Sequence, residues 1–227
     1  MRIALFSDIH ANLPAFEAFL ADLDERKPDA VYCLGDLIGY HIWPNEIIDK
    51  VRKSGISTLA GNHDLKLADM DASDEKNYAY SLVTRSNRDY LLSLPAIIEL
   101  QFKSTGKVLL AHGSPRKVDE YVLEETPEEY VMELMGDATI LCVGHSHKPY
   151  YRVIDNGKRH VVNIGSVGKP KDGDPRGCYA VLTIPPEDEQ EIGVEFIRFD
   201  YDVEGAAVAI ESSPLPNDLA DRLRKAF

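Results

Sequence analysis

Residues 1–10 read MRIALFSDIH, an apolar run that ends in an Asp-x-His group. The β-branched and aromatic side chains of this run predict a buried strand over residues 2–7. Pro14 stands where a first helical turn could begin, and apolar residues then recur at helical spacing. Because a second apolar run follows at residues 30–34, the order of strand, helix and strand favours right-handed βαβ units with parallel strands.

Later strands follow in two groups with different patterns. After the first two strands, the next are predicted at residues 57–60, 107–111 and 139–143. Beyond residue 148, runs such as YYRVID and CYAVLTI with tight connections suggest a second, more antiparallel sheet. The expected fold class is mixed α/β, formed by a single domain over residues 1–227.

Helical patterns lie between and after these strands. A helix that begins at Trp43 ends in glycine, and Thr126 opens a capping-box pattern whose helix should end near Gly136. Residues 65–96 are polar at first and then helical, so they could form a flap over a site. The C-terminal residues read as one or two surface helices after a turn at Pro214.

A polar cluster ends each of the five early strands. The clusters are Asp8-Ile9-His10, Gly35-Asp36, Gly61-Asn62-His63-Asp64, His112-Gly113 and Gly144-His145-Ser146-His147. Because the carboxyl ends of the strands form the binding crevice in open α/β sheets, we expect the clusters to converge. They offer carboxylate, imidazole and amide donors without a thiolate, a set suited to manganese, iron, zinc, cobalt or nickel.

These clusters hold more donors than one ion of about four to six ligands can use. The sequence therefore predicts two divalent ions, with Asp36 as the natural bridge between them. Two such ions, roughly 3.5–4 Å apart, would activate a shared water, align it for in-line attack and neutralise the phosphoryl oxygens. Any one cluster alone is also explained by a helix cap or a solvated loop, whereas five in this order are not.

In this order, the clusters resemble the signature of the calcineurin-like metallophosphoesterase superfamily. The match spans residues 8–147. GDLIGY at residues 35–40 with PNE at 44–46, and NIGSVGKPKDGDPR at 163–176, are similar to small bacterial members of the YfcE-like branch. The resemblance implies a four-layer α-β-β-α sandwich, in which two mixed β-sheets are flanked by helices. It also implies hydrolysis of small phosphodiesters or phosphomonoesters by a metal-bridging water or hydroxide, with manganese as the favoured ion.

The same resemblance implies a role for each donor. One ion would be held by Asp8, His10, Asp36 and His147, and the other by Asp36, Asn62, His112 and His145. His63 would remain outside the ligand set and protonate or stabilise the leaving oxygen, with Asp64 orienting it. Residues 37–41 lack the aspartate and arginine that follow the GD motif in protein serine/threonine phosphatases, which makes that activity less expected.

Other residues are candidates for contact with a substrate. Tyr40 could line the pocket, and Lys169, Lys171 and Arg176 lie in a glycine- and proline-rich loop that could grip phosphate. A solvated charge run explains this loop equally well. Trp43, Tyr78, Tyr80 and Tyr90 could stack on a nucleobase, although core packing is an equal alternative. His41 and His160 are interpreted as surface or packing histidines, and His41 is also a candidate for lining the pocket.

Composition narrows the partners and the compartment. The net charge of −13 disfavours duplex nucleic acid and anionic membranes, so that the expected partner is a small phosphate ester. No apolar run is long enough to span a membrane, and no leader precedes the first strand, which predicts a cytoplasmic protein. Cys33, Cys142 and Cys178 are expected to be buried and reduced.

Two other functions stay open at this stage. The chain could be a non-catalytic metal-binding scaffold in a protein complex. It could also hydrolyse nucleotide polyphosphates or act as a nuclease, although the acidic charge disfavours cleavage of duplex DNA.

Overall fold

The N-terminal strand lies at the centre of the first sheet, sheet A. In the computed structural model, which describes residues 1–70, 78–187 and 191–227, the spatial order of this sheet begins at its antiparallel edge. That order is β10 (Gly193–Phe199), β9 (Gly177–Thr183), β1 (Arg2–Phe6), β2 (Ala30–Cys33) and β3 (Ser57–Thr58). Strands β1, β2 and β3 are parallel, and β9 and β10 complete the sheet in antiparallel pairs.

Sheet B has the same mixed character. Its spatial order is β4 (Ile97–Phe102), β5 (Gly106–Ala111), β6 (Ile140–Val143), β8 (Arg159–Asn163) and β7 (Tyr150–Ile154). Strands β5, β6 and β8 are parallel, whereas β4 and β7 are antiparallel edge strands. In both sheets, a loop follows the carboxyl end of each parallel strand.

Helices cover both sheets. They are α1 (Leu13–Arg26), α2 (Pro44–Lys53), α3 (Asn62–Leu65), α4 (Tyr78–Ser81), α5 (Arg85–Leu92), α6 (Glu128–Met135), α7 (Val203–Glu211) and α8 (Asp218–Lys225). Short 3-10 turns occupy Lys66–Ala68 and Asp155–Gly157. At the start of α1, the side chain of Asn12 accepts a hydrogen bond from the Ala15 N–H at 3.3 Å, which satisfies one of the free donors of the first turn.

The alternation of side chains along β1 builds two separate layers of core. Ile3 and Leu5 pack between the sheets, against residues of β5 and β6 such as Val108. Ala4 and Phe6 point to the opposite face, where they meet α1 and α2. Helix α6 covers the outer face of sheet B. The layers therefore run helix, sheet, sheet, helix, and the predicted four-layer sandwich is confirmed.

The distribution of strands over the two sheets differs from the sequence prediction. Strands after residue 148 were expected to form a sheet of their own, but β7 and β8 extend sheet B while β9 and β10 extend sheet A. The five early strands are also divided between the sheets. The spacing of apolar residues identifies a strand, but it does not identify the strand that pairs with it, because pairing depends on contacts that are distant in sequence. The edge strand β4 was not predicted, since its side chains alternate only between exposed and half-buried.

Two helix predictions are corrected. Thr126 does not cap α6: its hydroxyl accepts a hydrogen bond from the Leu123 N–H at 2.8 Å, and the helix ends at Gly136 as expected. The helical pattern in residues 65–96 is interrupted, because the Thr84 side chain caps a new helix, α5, after α4 has ended. Part of this predicted flap, residues 71–77, lies outside the described residues.

The C-terminal helices are packed rather than peripheral. One of them precedes the turn at Pro214 and the other follows it. Ala206, Ile210 and Leu223 are buried, and they form a cluster with Ala79 of α4. All three cysteines are buried and unpaired, as predicted. Among the described residues, none of the helices combines the length and apolar character that crossing a bilayer requires.

Substitution of Phe19 tests the core between sheet A and its helices. Its ring is fully buried, 4.4 Å from the Phe6 centroid and 5.1 Å from that of Tyr179. Phe19→Ala should lower the free energy of unfolding by about 3–5 kcal/mol, because it leaves a cavity that the sheet cannot fill. Urea denaturation measures the change.

The matched control is Phe227→Ala, since that ring is 57% exposed. It should change stability by no more than about 0.5 kcal/mol. Equal effects of the two substitutions would contradict this account of the core.

Candidate metal centre

The predicted donor side chains lie together where the carboxyl ends of strands from both sheets meet. Asp8 and His10 follow β1, Asp36 follows β2, Asn62 follows β3, His112 follows β5, and His145 and His147 follow β6. The backbone N–H of His145 donates to Asp8 Oδ2 at 3.1 Å and so links the two sheets. The sequence predicted that these side chains meet at the edge of one sheet, but they meet between two sheets.

One set of donors consists of Asp8, His10 and His147, whose ligand atoms lie within 4.8 Å of one another. The Nε2 of His147 lies 3.2 Å from Asp8 Oδ1 and 3.2 Å from the Nε2 of His10. The same His10 atom is 3.7 Å from Asp36 Oδ2. Imidazole nitrogens and carboxylate oxygens directed at one point are suitable ligands for a divalent transition-metal ion.

A second set consists of Asp36, His112 and His145, also within 4.8 Å. The Nε2 of His112 lies 3.3 Å from Asp36 Oδ2 and 3.1 Å from Asn62 Oδ1. Asp36 thus faces both sets of donors, the position that a bridging ligand needs.

Backbone carbonyls orient the imidazole rings. The Nδ1 of His10 donates to Ile38 O at 2.9 Å, and that of His112 donates to Leu34 O at 2.7 Å. The Nδ1 of His147 also pairs with a backbone carbonyl. When Nδ1 donates in this way, a neutral ring presents the lone pair of Nε2 to a metal.

The backbone under these side chains is strained. Positive φ angles between 51° and 62° occur at Asp8, His10, Asp36, His145 and His147. Such left-handed conformations are costly for residues with a Cβ and persist only where the surroundings impose them. They turn each side chain off the end of its strand and into the cluster.

Three buried atoms of the candidate metal ligands make no hydrogen bond with the described residues. They are Asp8 Oδ1, Asp36 Oδ2 and His145 Nε2. A buried polar atom without a partner costs about 1–3 kcal/mol, so three in one cluster require an explanation. Bound cations would supply the missing partners, and the donor set therefore fits a metal centre.

Opposite charges inside the cluster stabilise each other. Burial would raise the pKa of Asp36, but His112 and other nearby histidines hold it below the usual range. Burial would lower the pKa of His112, yet the facing carboxylate of Asp36 raises it to about 10. Burial lowers the pKa of His10 to about 4 and also lowers that of His145. Without metal, the cluster therefore keeps its carboxylates ionised and carries a proton on His112.

His63 lies beside both the cluster and a neighbouring cavity. Its ring centroid is 4.9 Å from that of His10, and its backbone N–H donates to Asp36 Oδ1 at 2.8 Å. Its Nδ1 pairs with the hydroxyl of Tyr80. Burial lowers the pKa of His63 to about 3, so the ring is neutral before substrate or metal arrives.

Asp64 does not orient His63, contrary to the sequence-based expectation. Its carboxylate accepts hydrogen bonds from the N–H groups of Asp36 at 2.8 Å, Leu37 at 3.0 Å and Gly61 at 3.0 Å. Asp64 thus fixes the loop after β2 against the loop after β3, while Tyr80 takes the orienting position. The resemblance implied that Asp64 would orient His63, but adjacent helical residues point in different directions.

Among the predicted substrate contacts, Tyr40 and Lys169 are close to the donors. The Tyr40 ring lies 4.7 Å from that of His10, and the Lys169 ammonium lies 4.7 Å from the Tyr40 centroid. Burial, with Lys171 and Arg222 nearby, lowers the pKa of Lys169 to about 8. Lys171 is half-buried. A cation on an aromatic face at the rim of the cluster is placed to attract an anionic group.

Arg176 is not directed to this cluster. It is exposed, and its guanidinium forms an ion pair with Asp174 at 2.6 Å on the surface. This position agrees with the alternative interpretation of the residue as a solvated charge.

The remaining aromatic and histidine residues are distributed as follows. Tyr121, which the sequence did not single out, stacks on His145 with ring centroids 4.2 Å apart, although it is 53% exposed. Tyr90 packs under the Arg52 guanidinium, with 4.9 Å between Cζ and the ring centroid. His41 is buried, and its Nδ1 lies 2.8 Å from His10 O, which agrees with a packing role.

Comparisons with known proteins agree with this geometry. A family model described as the calcineurin-like phosphoesterase superfamily domain matches residues 1–187. The uncharacterized protein MJ0912 of Methanocaldococcus jannaschii is 31% identical over 244 residues, which cover 97% of this chain and 96% of that protein. The crystal structure of a metallophosphoesterase from Sphaerobacter thermophilus has a TM-score of 0.83 at 29% identity, covering 100% of this chain and 99% of that one.

The predicted similarity to YfcE-like phosphoesterases is also confirmed. The E. coli phosphoesterase Yfce has a TM-score of 0.54 at 18% identity, and the alignment covers 88% of this chain and 100% of that one. At this identity the likeness concerns the fold. The TM-score of the Sphaerobacter protein is higher, so the overall structure of the present chain is more similar to that protein than to Yfce.

Metal binding should displace a proton from His112. Because the pKa of this ring is raised to about 10 in the metal-free protein, Nε2 carries a proton at neutral pH. Ligation needs the neutral ring, so the apparent affinity for Mn²⁺ should rise about tenfold per pH unit between about pH 7 and pH 8.5. Titration calorimetry in buffers of different ionisation enthalpy measures the released proton.

A His112→Asn variant is the control, because asparagine keeps an oxygen donor that does not titrate. It should lose most of the pH dependence in this range. A flat affinity profile for the unmodified protein would contradict the protonated state of His112.

Proposed function

Because the chain belongs to the calcineurin-like phosphoesterase superfamily, we propose that it is a metal-dependent phosphoesterase with a dinuclear centre. Its expected substrates are small phosphodiesters or phosphomonoesters. The single observation that carries the proposal is the convergence of carboxylate and imidazole donors, three of whose atoms are buried without a partner.

Two of three overlapping groups of candidate ligands suggest how the ions are held, and the third consists of His10, Asp36 and His63. Asp8, His10, Asp36 and His147 would bind one ion, and Asp36, Asn62, His112 and His145 the other. Two bound cations supply charge neutralisation of the phosphoryl oxygens and a water activated for in-line attack. Manganese is the first ion to test, since the mixed nitrogen and oxygen donors suit it as well as iron, zinc, nickel or cobalt.

The chain's own groups provide the rest of the chemistry. His63 lies next to the donors with its Nδ1 on Tyr80, so the ring is fixed in orientation and can give a proton to the leaving oxygen. Its lowered pKa means that the proton must be taken up when negative charge arrives in the site. Lys169, held over Tyr40, supplies a positive charge at the rim.

The charge of the protein favours small substrates. A net charge of −13 repels long polyanions at a distance, whereas a small ester experiences mainly the local field of the metals and Lys169. A nuclease acting on duplex DNA is therefore the less supported candidate. Hydrolysis of nucleotide polyphosphates remains compatible with the same centre, and cytoplasmic location stays a prediction.

A scaffold role is the alternative of a different class. It is less supported here because the donor set and His63 are both present in one place. A tight protein partner recovered together with metal, but with no hydrolysis of any ester, would reverse the ranking.

Substitution of His63 separates proton donation from metal binding. His63→Ala should lower kcat on a chromogenic phosphodiester by about 10²–10⁴-fold, the usual contribution of a general acid, while two metal ions remain bound. Asp36→Ala should lose metal and activity together, because both donor sets share this carboxylate. Steady-state kinetics with Mn²⁺ and metal analysis by mass spectrometry measure the two effects.

His160→Ala is the matched control, because this histidine pairs with Tyr151 in sheet B and does not belong to the donor sets. It should keep both activity and metal. The proposal is rejected if the unmodified protein turns over no mono- or diester above the His63→Ala level with any of the five metals.

A further inference from the structure

A cavity of about 540 Å³ lies beside the metal centre, on the side of His63. This volume is in the range of sites that hold small organic molecules. Tyr40 and His63 belong to its wall and also face the donors, since each ring lies within 4.9 Å of the His10 ring. The cavity is therefore continuous with the place where an ester would react.

Aromatic and apolar side chains form most of the wall. Tyr78 and Tyr80 contribute from α4, and Leu215, Pro216 and Leu219 contribute from the turn between α7 and α8 and from α8 itself. Lys66 and Asp69 add charged groups to the same wall, and both are exposed to solvent. A flat ring with polar edges suits this surface better than a flexible hydrocarbon chain, which makes no use of polar groups.

The C-terminal part of the wall is anchored in the fold. Leu215 is 9% exposed and packs with Ala206 and Ile210 of α7 and with Ala79 of α4. Leu215, Ala206 and Ile210 lie beyond residue 187, where the match to the family model ends. This side of the cavity therefore lies outside the family model, although the alignment with the Sphaerobacter metallophosphoesterase covers it.

We propose that this cavity binds the aromatic part of a nucleoside-type substituent whose phosphate ester lies at the metal centre. The inference rests on the proposed phosphoesterase function and specifies its substrate class. The phosphoryl group would occupy the donors, and the ester oxygen next to His63 would direct its substituent between Tyr78 and Leu219. Water would attack phosphorus as the P–O bond to this substituent breaks. The leaving oxygen would take a proton from His63, the proton lost by the water would restore that of His63, and the alcohol would leave through the cavity.

Binding of a free nucleoside tests the cavity without requiring turnover. The unmodified protein, loaded with Mn²⁺, should bind adenosine in titration calorimetry, whereas ribose, which lacks the aromatic base, should not bind. Leu219→Trp fills the cavity and should weaken adenosine binding at least about tenfold, the effect expected when one stacked base is lost. Tyr78→Ala removes an aromatic wall without adding bulk and should act in the same direction.

Val208→Trp is the matched control, because Val208 lies on α7 and is 47% exposed. It adds the same ring outside the cavity and should leave adenosine binding unchanged. Thermal unfolding of all variants shows whether they are folded.

Hydrolysis provides the second readout. Adenosine 5′-phosphate and methyl phosphate both release primary alcohols, so a difference between them reports binding of the substituent. The unmodified protein should prefer the nucleoside ester, and Leu219→Trp should reduce kcat/KM for that ester at least about tenfold while sparing methyl phosphate.

The outcomes separate the two proposals. No adenosine binding, or binding that a folded Leu219→Trp variant retains, overturns the cavity inference even if esters are hydrolysed. Adenosine binding that depends on Leu219, together with no hydrolysis of any ester, supports a nucleoside-binding cavity and rejects the phosphoesterase function. Equal kcat/KM values for the two esters overturn the substrate class.

Discussion

The structure depends on holding negatively charged and polar side chains together inside the protein, where two sheets meet. Asp8 and Asp36 are fully buried or nearly so, and removing a carboxylate from water is costly unless other groups compensate. Compensation comes from imidazoles and backbone N–H groups at short range. The hydrogen bond from the His145 N–H to the Asp8 carboxylate is central, because it joins loops from different sheets.

Close approach of the backbone makes this arrangement possible. A Cβ on Gly61 would lie 2.1 Å from Asp36 Oδ1, and a Cβ on Gly144 would lie 2.8 Å from Asp8 Oδ2. Only glycine leaves room for the carboxylates at these points. These close contacts and the positive φ angles of five donor residues are strained, so packing of the surrounding core must stabilise them. The aromatic packing of Phe6, Phe19 and Tyr179 beneath β1 gives this support.

The C-terminal helices shape the space beside the candidate metal ligands. They pack against α4, and they place Leu215 and Leu219 across from Tyr78 and Tyr80. The donors thus determine what chemistry is available, while a separate segment of chain shapes the space next to His63.

The sequence by itself located the candidate metal ligands and the order of the elements that carry them. An apolar period followed by a polar cluster is a local signal, so β1, β2, β5 and β6 and their terminal residues could be located before the structure. Tertiary structure alone decided the rest. Sheet membership, the backbone role of Asp64, the pairing of Tyr80 with His63 and the surface position of Arg176 all depend on contacts between distant segments. Such contacts are set by which segments pack together, and no pattern within a short stretch of sequence encodes them.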